Sequence, residues 1–257
     1  MTRPSPDAYG FDHADGGVDP ADVGAAIHLL RQGRITVEGR LVAASNATMY
    51  CSVALDGVMA GCVYKPVSGE RPLWDFPDGT LADREVAAYA VSEAMGWRIV
   101  PPTVLRDGPY GPGMVQLWVE PDPEIDVVAL SRADDPAVRR MAVFDAVVNN
   151  ADRKIGHLLP TGDGHVYGCD HGVCFSTEYK LRTVLWQWRG ERLLDDAIEA
   201  LRTLRKAFDG PPLGSYLGSL LTAEEVDATR RRVDLMLKHR IHPYPSDEWP
   251  AIPWPPL

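Results

Sequence analysis

The chain changes character near Asp126, and this change constrains its fold more than any other feature. Between Ile35 and Pro66 short runs of β-favouring residues follow one another, with Asp56-Gly57 as a hairpin turn signal. Beyond Asp126 apolar residues recur at helical spacing, as in "DDPAVRRMAVFDAVVNN". The chain is therefore expected to be an α+β protein with a β-rich first part and a mostly helical second part.

Further segments complete this division. "DPADVGAAIHLLRQG" and "LADREVAAYAVSEAMGW" predict helices in the first part, and "IVPPTVLRD" and "GMVQLWVE" predict strands. "RLLDDAIEALRTLRKAF" and "TAEEVDATRRRVDLMLKH" predict later helices, the second with a capping box from Thr222 and Glu225. The final "HPYPSDEWPAIPWPPL" is too rich in proline for either element and predicts an extended strap. We expect a mobile segment at 1–20, a β-rich lobe with a preceding helix at 21–120 and a helical lobe at 121–257.

Composition excludes several classes of function. The formal net charge of -10 argues against nucleic-acid binding, which needs clustered cations, and the cluster Arg230–Arg232 is interpreted as a solvated helix face. No run of about 18 apolar residues predicts a membrane span, and the sequence shows neither a leader nor a lipid-anchor motif. The four cysteines lack CxxC spacing and are expected to be reduced. A cytoplasmic location is the expectation.

The stretch "NNADRKIGHLLPTGDGHVYGCDHGVCF" concentrates the residues that carry chemistry. Asp152 and His157 lie five residues apart, and Asp170 follows after a segment whose turn is Gly162-Asp163-Gly164. Phosphoryl transfer from ATP uses such a set: an Asp that orients the acceptor hydroxyl, a metal ligand a few residues on, and a second Asp that grips the metal. The stretch therefore predicts a phosphotransfer site.

Two upstream residues fit the same chemistry. Lys65 closes the strand-like "CVYKP", and Glu85 lies twenty residues later on a predicted helix. A lysine at a strand end can pair with phosphates while a helix glutamate holds it by an ion pair. Either residue alone is ordinary surface charge, so the order of the whole set carries the prediction.

The segments "GMVQLWVE", "VFDAVVNNADRKIGHLL" and "VYGCDHGVCF" resemble the hinge strand, catalytic loop and metal-binding segment of the phosphatidylinositol 3- and 4-kinase superfamily, most of all the type II 4-kinase pattern. The whole chain also resembles a bacterial phosphatidylinositol-kinase-like family. The likeness covers roughly residues 42–188. It implies a two-lobed protein-kinase-like fold with ATP between the lobes.

By this resemblance Asp152 is the catalytic-loop acid, Asp170 the metal-binding residue, Lys65 the phosphate-pairing lysine and Glu85 its partner. Lys154 is positioned to reach the transferred phosphate. Adenine is expected on the segment of Gln116, Leu117, Trp118 and Val119. The implied cofactors are ATP with Mg²⁺ or Mn²⁺.

Two departures from the family pattern matter. The family usually has Asn where this chain has His157, and imidazole suits softer ions than Mg²⁺, so a tolerance or preference for Mn²⁺, or a single tightly held metal, is predicted. The phosphate-covering loop lacks glycine, although Ser45, Asn46 and Thr48 offer donors in "AASNATMY".

Other interpretations stay open at this point. The chain is either a kinase acting on a hydroxyl acceptor or a nucleotide-binding pseudokinase without transfer. A zinc protein or zinc-dependent hydrolase using the His and Cys residues is a weaker alternative, since their spacing does not place them together. Adenylyl transfer on the same fold is a further possibility. Sequence does not identify the acceptor among proteins, metabolites and inositol lipids, nor the oligomeric state.

Overall fold

The structure is a computed structural model that describes residues 18–41 and 46–257. Ser45 and almost all of the predicted mobile segment 1–20 lie outside the described residues. The chain divides into two compact units. The first comprises the residues up to 86 together with 101–120, and the second comprises 87–100 and 121–257. Among the described residues, no helix has the length and apolar character needed to cross a bilayer.

A five-stranded antiparallel sheet forms the first unit, in the order β1-β2-β3-β5-β4. Its strands are β1 Arg34–Arg40, β2 Met49–Leu55, β3 Val58–Pro66, β4 Thr103–Gly108 and β5 Gly111–Leu117. Helix α1, Val23–Gln32, starts at Asp22, whose carboxylate accepts the N–H of Ala25. Leu29 and Leu30 of α1 pack into the core beneath the sheet, together with Tyr64.

Helix α2, Leu81–Met95, begins in the first unit and continues into the second. The carboxylate of Glu70 accepts the N–H groups of both Leu81 and Ala82, at 3.1 and 2.8 Å. A negative charge at a helix N-terminus satisfies free amides and interacts favourably with the helix dipole. Glu70 therefore fixes where the helix that carries Glu85 begins.

Helices build most of the second unit. They are α3 Val127–Arg132, α4 Pro136–Val148, α5 Asp195–Phe208, α6 Leu213–Leu217 and α7 Ala223–His239. Helix α4 is buried without interruption from Met141 to Val148, as expected of a central helix. The capping box predicted for α7 is present, because Thr222 and Glu225 exchange both hydrogen bonds.

Strands β6, Leu158–Pro160, and β7, Val166–Gly168, form a short hairpin in this unit. Strand β7 is short because the chain leaves the extended conformation after Gly168. The segment after α7 contains neither helix nor extended strand pairing.

The prediction that Arg230–Arg232 forms a solvated face is wrong for Arg232. Its guanidinium donates to the carbonyls of Val147 and Ser176, at 2.9 and 3.2 Å. Burial lowers the pKa of Arg232 to about 10. The cluster lies on α7, and one of its members satisfies the carbonyl of Val147 at the end of α4, where the helix has no further amides to offer.

Candidate active site

Lys65 and Glu85 form the ion pair that the sequence predicted. The Lys65 ammonium lies 2.6 Å from Glu85 Oε1, and the two side chains are 18% and 2% exposed. Successive residues of a strand face opposite ways. Because Tyr64 faces the core shared with α1, its neighbour Lys65 projects from the other face of the sheet and reaches Glu85 on α2. The Lys65 side chain thus keeps part of its surface exposed.

The segment Asn46–Thr48 is tied to the loop that precedes α2. The Asn46 side-chain oxygen accepts the N–H of Arg71 at 2.9 Å, and the Ala47 N–H donates to the Gly69 carbonyl at 3.1 Å. A Cβ at Gly69 would lie 2.5 Å from the Ala47 Cβ, so this approach requires glycine. Thr48 is buried. The candidate phosphate-covering segment itself lacks glycine, and the glycine that permits the close approach, Gly69, lies in the neighbouring loop.

The side chains of the predicted adenine-binding segment are engaged within the first unit. The buried Gln116 amide donates to Thr103 Oγ1 at 2.9 Å, and the Trp118 indole N–H donates to Glu120 at 2.7 Å. Tyr50 packs edge-on against the Trp118 ring. These contacts fix the path of the segment and leave ligand recognition to its backbone.

The backbone of this segment is also partly engaged. The Leu117 N–H donates to the Pro102 carbonyl at 2.9 Å, and the Trp118 N–H donates to the Gly61 carbonyl at 3.0 Å. Among the described residues, the Val119 N–H has no such backbone partner. Of the four residues predicted here, Val119 is therefore the one whose amide suits a ligand.

Two consecutive asparagines shape the loop that follows α4. Asn149 ends the helix in the left-handed conformation, and its side chain donates to Ser176 and Glu178 carbonyls. The Asn150 side-chain oxygen accepts the N–H of Asp152 at 2.9 Å. Asparagine favours both the left-handed conformation and such local turns. The two asparagines thus fix the turn after α4, and this turn determines where Asp152 lies.

Arg153 braces the loop from within. Its guanidinium forms a two-pronged pair with Asp145, at 2.9 and 2.8 Å, and both side chains are completely buried. It also donates to the Cys169 carbonyl at 3.1 Å and contacts His171 Nε2 at 2.6 Å. Because a guanidinium only donates, His171 Nε2 is the acceptor and the imidazole is neutral. The same cation therefore holds α4, the loop and the segment after β7.

The hairpin brings His157 beside Asp170. Leu158 pairs with Gly168, and the Cys169 N–H continues the ladder by donating to the His157 carbonyl at 3.1 Å. The next residue, Asp170, consequently lies alongside His157, with Oδ2 3.5 Å from His157 Nε2. Asp170 has a φ of 64°, the left-handed region that is uncommon for non-glycine residues.

Asp152 and Lys154 form a second charged pair in this loop. The Lys154 ammonium lies 3.1 Å from Asp152 Oδ2, and both side chains are partly exposed. Burial raises the pKa of the Asp152 carboxyl, and the Asp170 carboxylate adds to this rise, whereas Lys154 opposes it. A carboxylate of raised pKa next to a cation suits proton acceptance in a reaction.

The pair His157 and Asp170 fits a divalent ion held jointly with phosphates. Adjacent ligands of an octahedral ion lie about 3 Å apart, close to the 3.5 Å between Nε2 and Oδ2. No group of three or more His, Cys, Asp or Glu residues that could hold a metal occurs in the described part of the chain. Two protein donors suffice for Mg²⁺ in sites completed by phosphates and water, but they do not build a structural zinc site.

His157 Nδ1 receives the Lys154 N–H at 3.5 Å, a long contact that favours the hydrogen on Nε2. Ligation through Nε2 requires that hydrogen to move to Nδ1, which ends the contact with Lys154. His157 can thus ligate a metal ion through Nε2, but loss of the hydrogen bond from the Lys154 N–H opposes ligation slightly.

Two features of the loop were not predicted. Residues 182–184 pair alongside it, since the Arg182 N–H donates to the Asn150 carbonyl and the Arg153 N–H donates to the Arg182 carbonyl. The Ile155 N–H donates to the Pro256 carbonyl at 2.9 Å. Both features use backbone groups, which every residue carries, so no side-chain pattern signals them.

Comparison with known proteins identifies relatives of this chain. Protein Rv2133c of Mycobacterium tuberculosis is 46% identical over 262 residues, which cover 88% of this chain and 94% of that protein. The chain belongs to the Rv2133c family. A scan of protein-family models finds no match.

Two further comparisons concern the fold of this chain and part of its sequence. The crystal structure of the Golgi casein kinase superposes with a TM-score of 0.53 at 13% identity, covering 86% of this chain and 75% of that one. The fold is therefore α+β and protein-kinase-like, as predicted. Phosphatidylinositol 4-kinase gamma 4 of Oryza sativa subsp. japonica is 27% identical over 161 residues, which span 55% of this chain but only 26% of the rice protein.

Proposed function

We propose that this chain is an ATP- and divalent-metal-dependent phosphotransferase that acts on a hydroxyl acceptor. The observation that carries the proposal is the grouping of Asp152, Lys154, His157 and Asp170 on one braced loop and hairpin of a protein-kinase-like fold. Phosphoryl transfer needs little covalent chemistry from the protein and depends on positioned charges. The grouping supplies such charges in the order that this reaction uses.

The first unit is assigned to the nucleotide. The Lys65 ammonium, held by Glu85, neutralises charge on the α- and β-phosphates, and its partial exposure supports this role. The Val119 N–H is assigned to the adenine edge, while Gln116, Leu117 and Trp118 hold the segment in place. Asn46 and Thr48 likewise hold their own segment in place.

The second unit is assigned to transfer. Asp170 and His157 would hold a divalent ion, which would neutralise charge on the phosphates. Asp152 accepts the hydrogen bond of the acceptor hydroxyl and takes its proton as the oxygen attacks phosphorus. Lys154 stabilises the ionised Asp152 and offers a cation to the transferred phosphoryl group.

The kinase reaction rests on the chemistry of these residues, and the rice relative supports it with a matching reaction class in its name. The match covers only a small part of that protein, so it does not indicate that this chain acts on a lipid. We therefore leave the acceptor at the level of a hydroxyl group, in a protein, a metabolite or an inositol lipid.

The test is a thermal-unfolding series on the wild type and Asp170→Asn, with ATP, ADP or GTP, each without metal, with Mg²⁺ or with Mn²⁺. A ligand at about 100 times its Kd stabilises a protein by about 2.7 kcal/mol, a rise of roughly 5–10 °C for a chain of this size. We expect a metal-dependent rise with ATP that Asp170→Asn removes. Asp152→Asn should keep the rise and lose ADP formation.

The matched control is Asp163→Asn, which removes the same charge from the tip of the same hairpin, where the Asp163 carboxylate accepts hydrogen bonds from Thr161 and from the His165 N–H. It should behave as the wild type. Absence of any ATP-dependent rise in the wild type would refute the proposal. Full turnover by Asp152→Asn would remove that residue from its role.

A second candidate is a nucleotide-binding module without transfer. The contact between the Lys154 N–H and His157 Nδ1 favours it, because ligation by His157 must end that contact. ATP-dependent stabilisation of the wild type without ADP formation under either metal would support this candidate over the kinase.

A further inference from the structure

The segment that follows α7, residues 241–257, is here named the strap. It runs along the second unit and is fixed first at residues 190–193. Ile241 pairs with Arg192, and the His242 N–H donates to the Glu191 carbonyl at 2.9 Å. His242 is buried against Trp188. The start of the strap is therefore part of the folded unit.

The strap next contacts the segment that lies beside the candidate catalytic loop. The Ala251 carbonyl accepts two hydrogen bonds, from the Thr183 N–H at 3.0 Å and from the Trp186 indole N–H at 2.8 Å. The Lys180 ammonium lies 4.5 Å from the centre of the Trp249 ring, within the range of a cation–π contact. Three side chains or amides from residues 180–186 thus hold the middle of the strap.

The last contact is with the loop itself. The Pro256 carbonyl accepts the Ile155 N–H at 2.9 Å, and Ile155 is buried. Ile155 lies between Asp152 and His157 and opens the 3₁₀ turn that ends at His157. Its amide belongs to the start of that turn, where amides lack partners within the turn. The strap supplies the partner.

The loop is consequently held on two sides. Residues 182–184 pair with Asn150 and Arg153, which fixes the chain on either side of Asp152. Pro256 fixes the chain two residues after Arg153. The strap therefore holds the part of the loop between Arg153 and His157. The distance from the Asp152 carboxylate, assigned to orient the acceptor, to the His157 imidazole, assigned to the metal, depends in part on this contact.

We propose that the strap is a positioning element of the active site, which sets the distance between Asp152 and His157 through the bond from Ile155 to Pro256. The inference rests on the proposed function. A displacement of about 1 Å in reacting groups can lower a rate about 100-fold. Loss of this bond should therefore lower kcat by about 10- to 100-fold, while nucleotide binding by Lys65 and Glu85 continues.

The test compares the full chain with a shortened chain that ends at Pro255 and so lacks the Pro256 carbonyl. The control is Leu257→Ala, which changes a half-exposed side chain beyond that carbonyl and keeps the bond. ADP formation gives kcat and the KM for ATP, and amide hydrogen exchange reports on the Ile155 N–H directly. The shortened chain should show faster exchange at Ile155, a lower kcat and an unchanged KM, and the control should match the full chain.

A second variant guards against a general loss of folding. Trp186→Phe keeps an aromatic ring but removes the indole donor to Ala251, so it should lower kcat less, with the same pattern of unchanged KM. Wild-type kcat in the shortened chain would overturn the inference alone. Equal loss of ATP-dependent stabilisation and kcat would also overturn it, because it would show general damage. An inactive full chain would refute the proposed function, and the inference would fall with it.

Discussion

The buried pair Asp145–Arg153 provides a quantitative test of how the loop is held. The substitution Asp145→Asn keeps the volume but removes the negative charge, which leaves the Arg153 guanidinium uncompensated in a site where both side chains are 0% exposed. Its new amide group also faces the Arg153 Nε donor, 2.9 Å from the present carboxylate oxygen. Breaking a buried pair in this way costs about 3–5 kcal/mol.

The assay is urea unfolding followed by circular dichroism, with thermal unfolding beside it. The expected loss corresponds to a fall in Tm of about 6–20 °C for a chain of this size. Asp196→Asn is the matched control, because its pair with Arg140 has the same length of 2.8 Å but side chains 41% and 45% exposed. Exposed pairs contribute at most about 1 kcal/mol.

A double variant separates charge from packing. Asp145→Leu with Arg153→Met replaces the buried charges by apolar groups, so it should be less destabilised than Asp145→Asn alone. If Asp145→Asn costs no more than Asp196→Asn, the claim that this pair braces the loop is wrong. If the double variant is the least stable, the other bonds of the two residues, from Arg153 to Cys169 and His171 and from Asn150 to Asp145, contribute more than the pair itself.

Three further predictions concern charge. Lys65→Met should lower kcat/KM for ATP, measured by ADP formation, about 100-fold. Glu85→Gln should lower kcat/KM less in the same assay. Burial lowers the pKa of His242 from its ordinary 6.5 to about 4, so the unfolded state binds the extra proton and stability falls by about 3 kcal/mol as pH drops through this window; urea unfolding of His242→Leu should lack that slope. Because Lys154 lowers the pKa of Asp152, Lys154→Gln should move the acid limb of kcat/KM to higher pH, and an unmoved limb would contradict the assignment of that limb to Asp152.

Some of the site was predictable because its parts leave patterns in the sequence. The ion pair of Lys65 and Glu85 follows from the order of residues that phosphoryl transfer uses, a lysine at a strand end and a glutamate on the next helix, and it forms at 2.6 Å. The approach of His157 to Asp170 follows from a hairpin whose turn is predicted by the glycines on either side of Asp163. In the second case the turn chemistry of the hairpin determines which side chains meet.

Other parts depend on contacts that leave no such pattern. Ile155 and Pro256 are distant in sequence and meet through backbone groups, so neither residue type indicates the bond. The prediction for Arg232 is wrong because a run of arginines on a helix usually faces water, whereas its guanidinium donates to the carbonyls of Val147, at the end of α4, and of Ser176. Long-range satisfaction of main-chain groups is set by tertiary structure and appears only there.

The identity of residue 157 decides how the site holds its metal. Imidazole offers a softer donor than the amide oxygen of asparagine, and its Nδ1 must release the Lys154 N–H before Nε2 can ligate. His157→Asn supplies a hard oxygen without that requirement, so activity with Mg²⁺ should rise relative to Mn²⁺. The control is His165→Asn on the same hairpin, whose ring bonds the Arg98 carbonyl and should leave the ratio unchanged. An unchanged Mg²⁺ to Mn²⁺ ratio in His157→Asn would mean that His157 only orients the Asp170 carboxylate, and that Asp170 holds the ion with the phosphates.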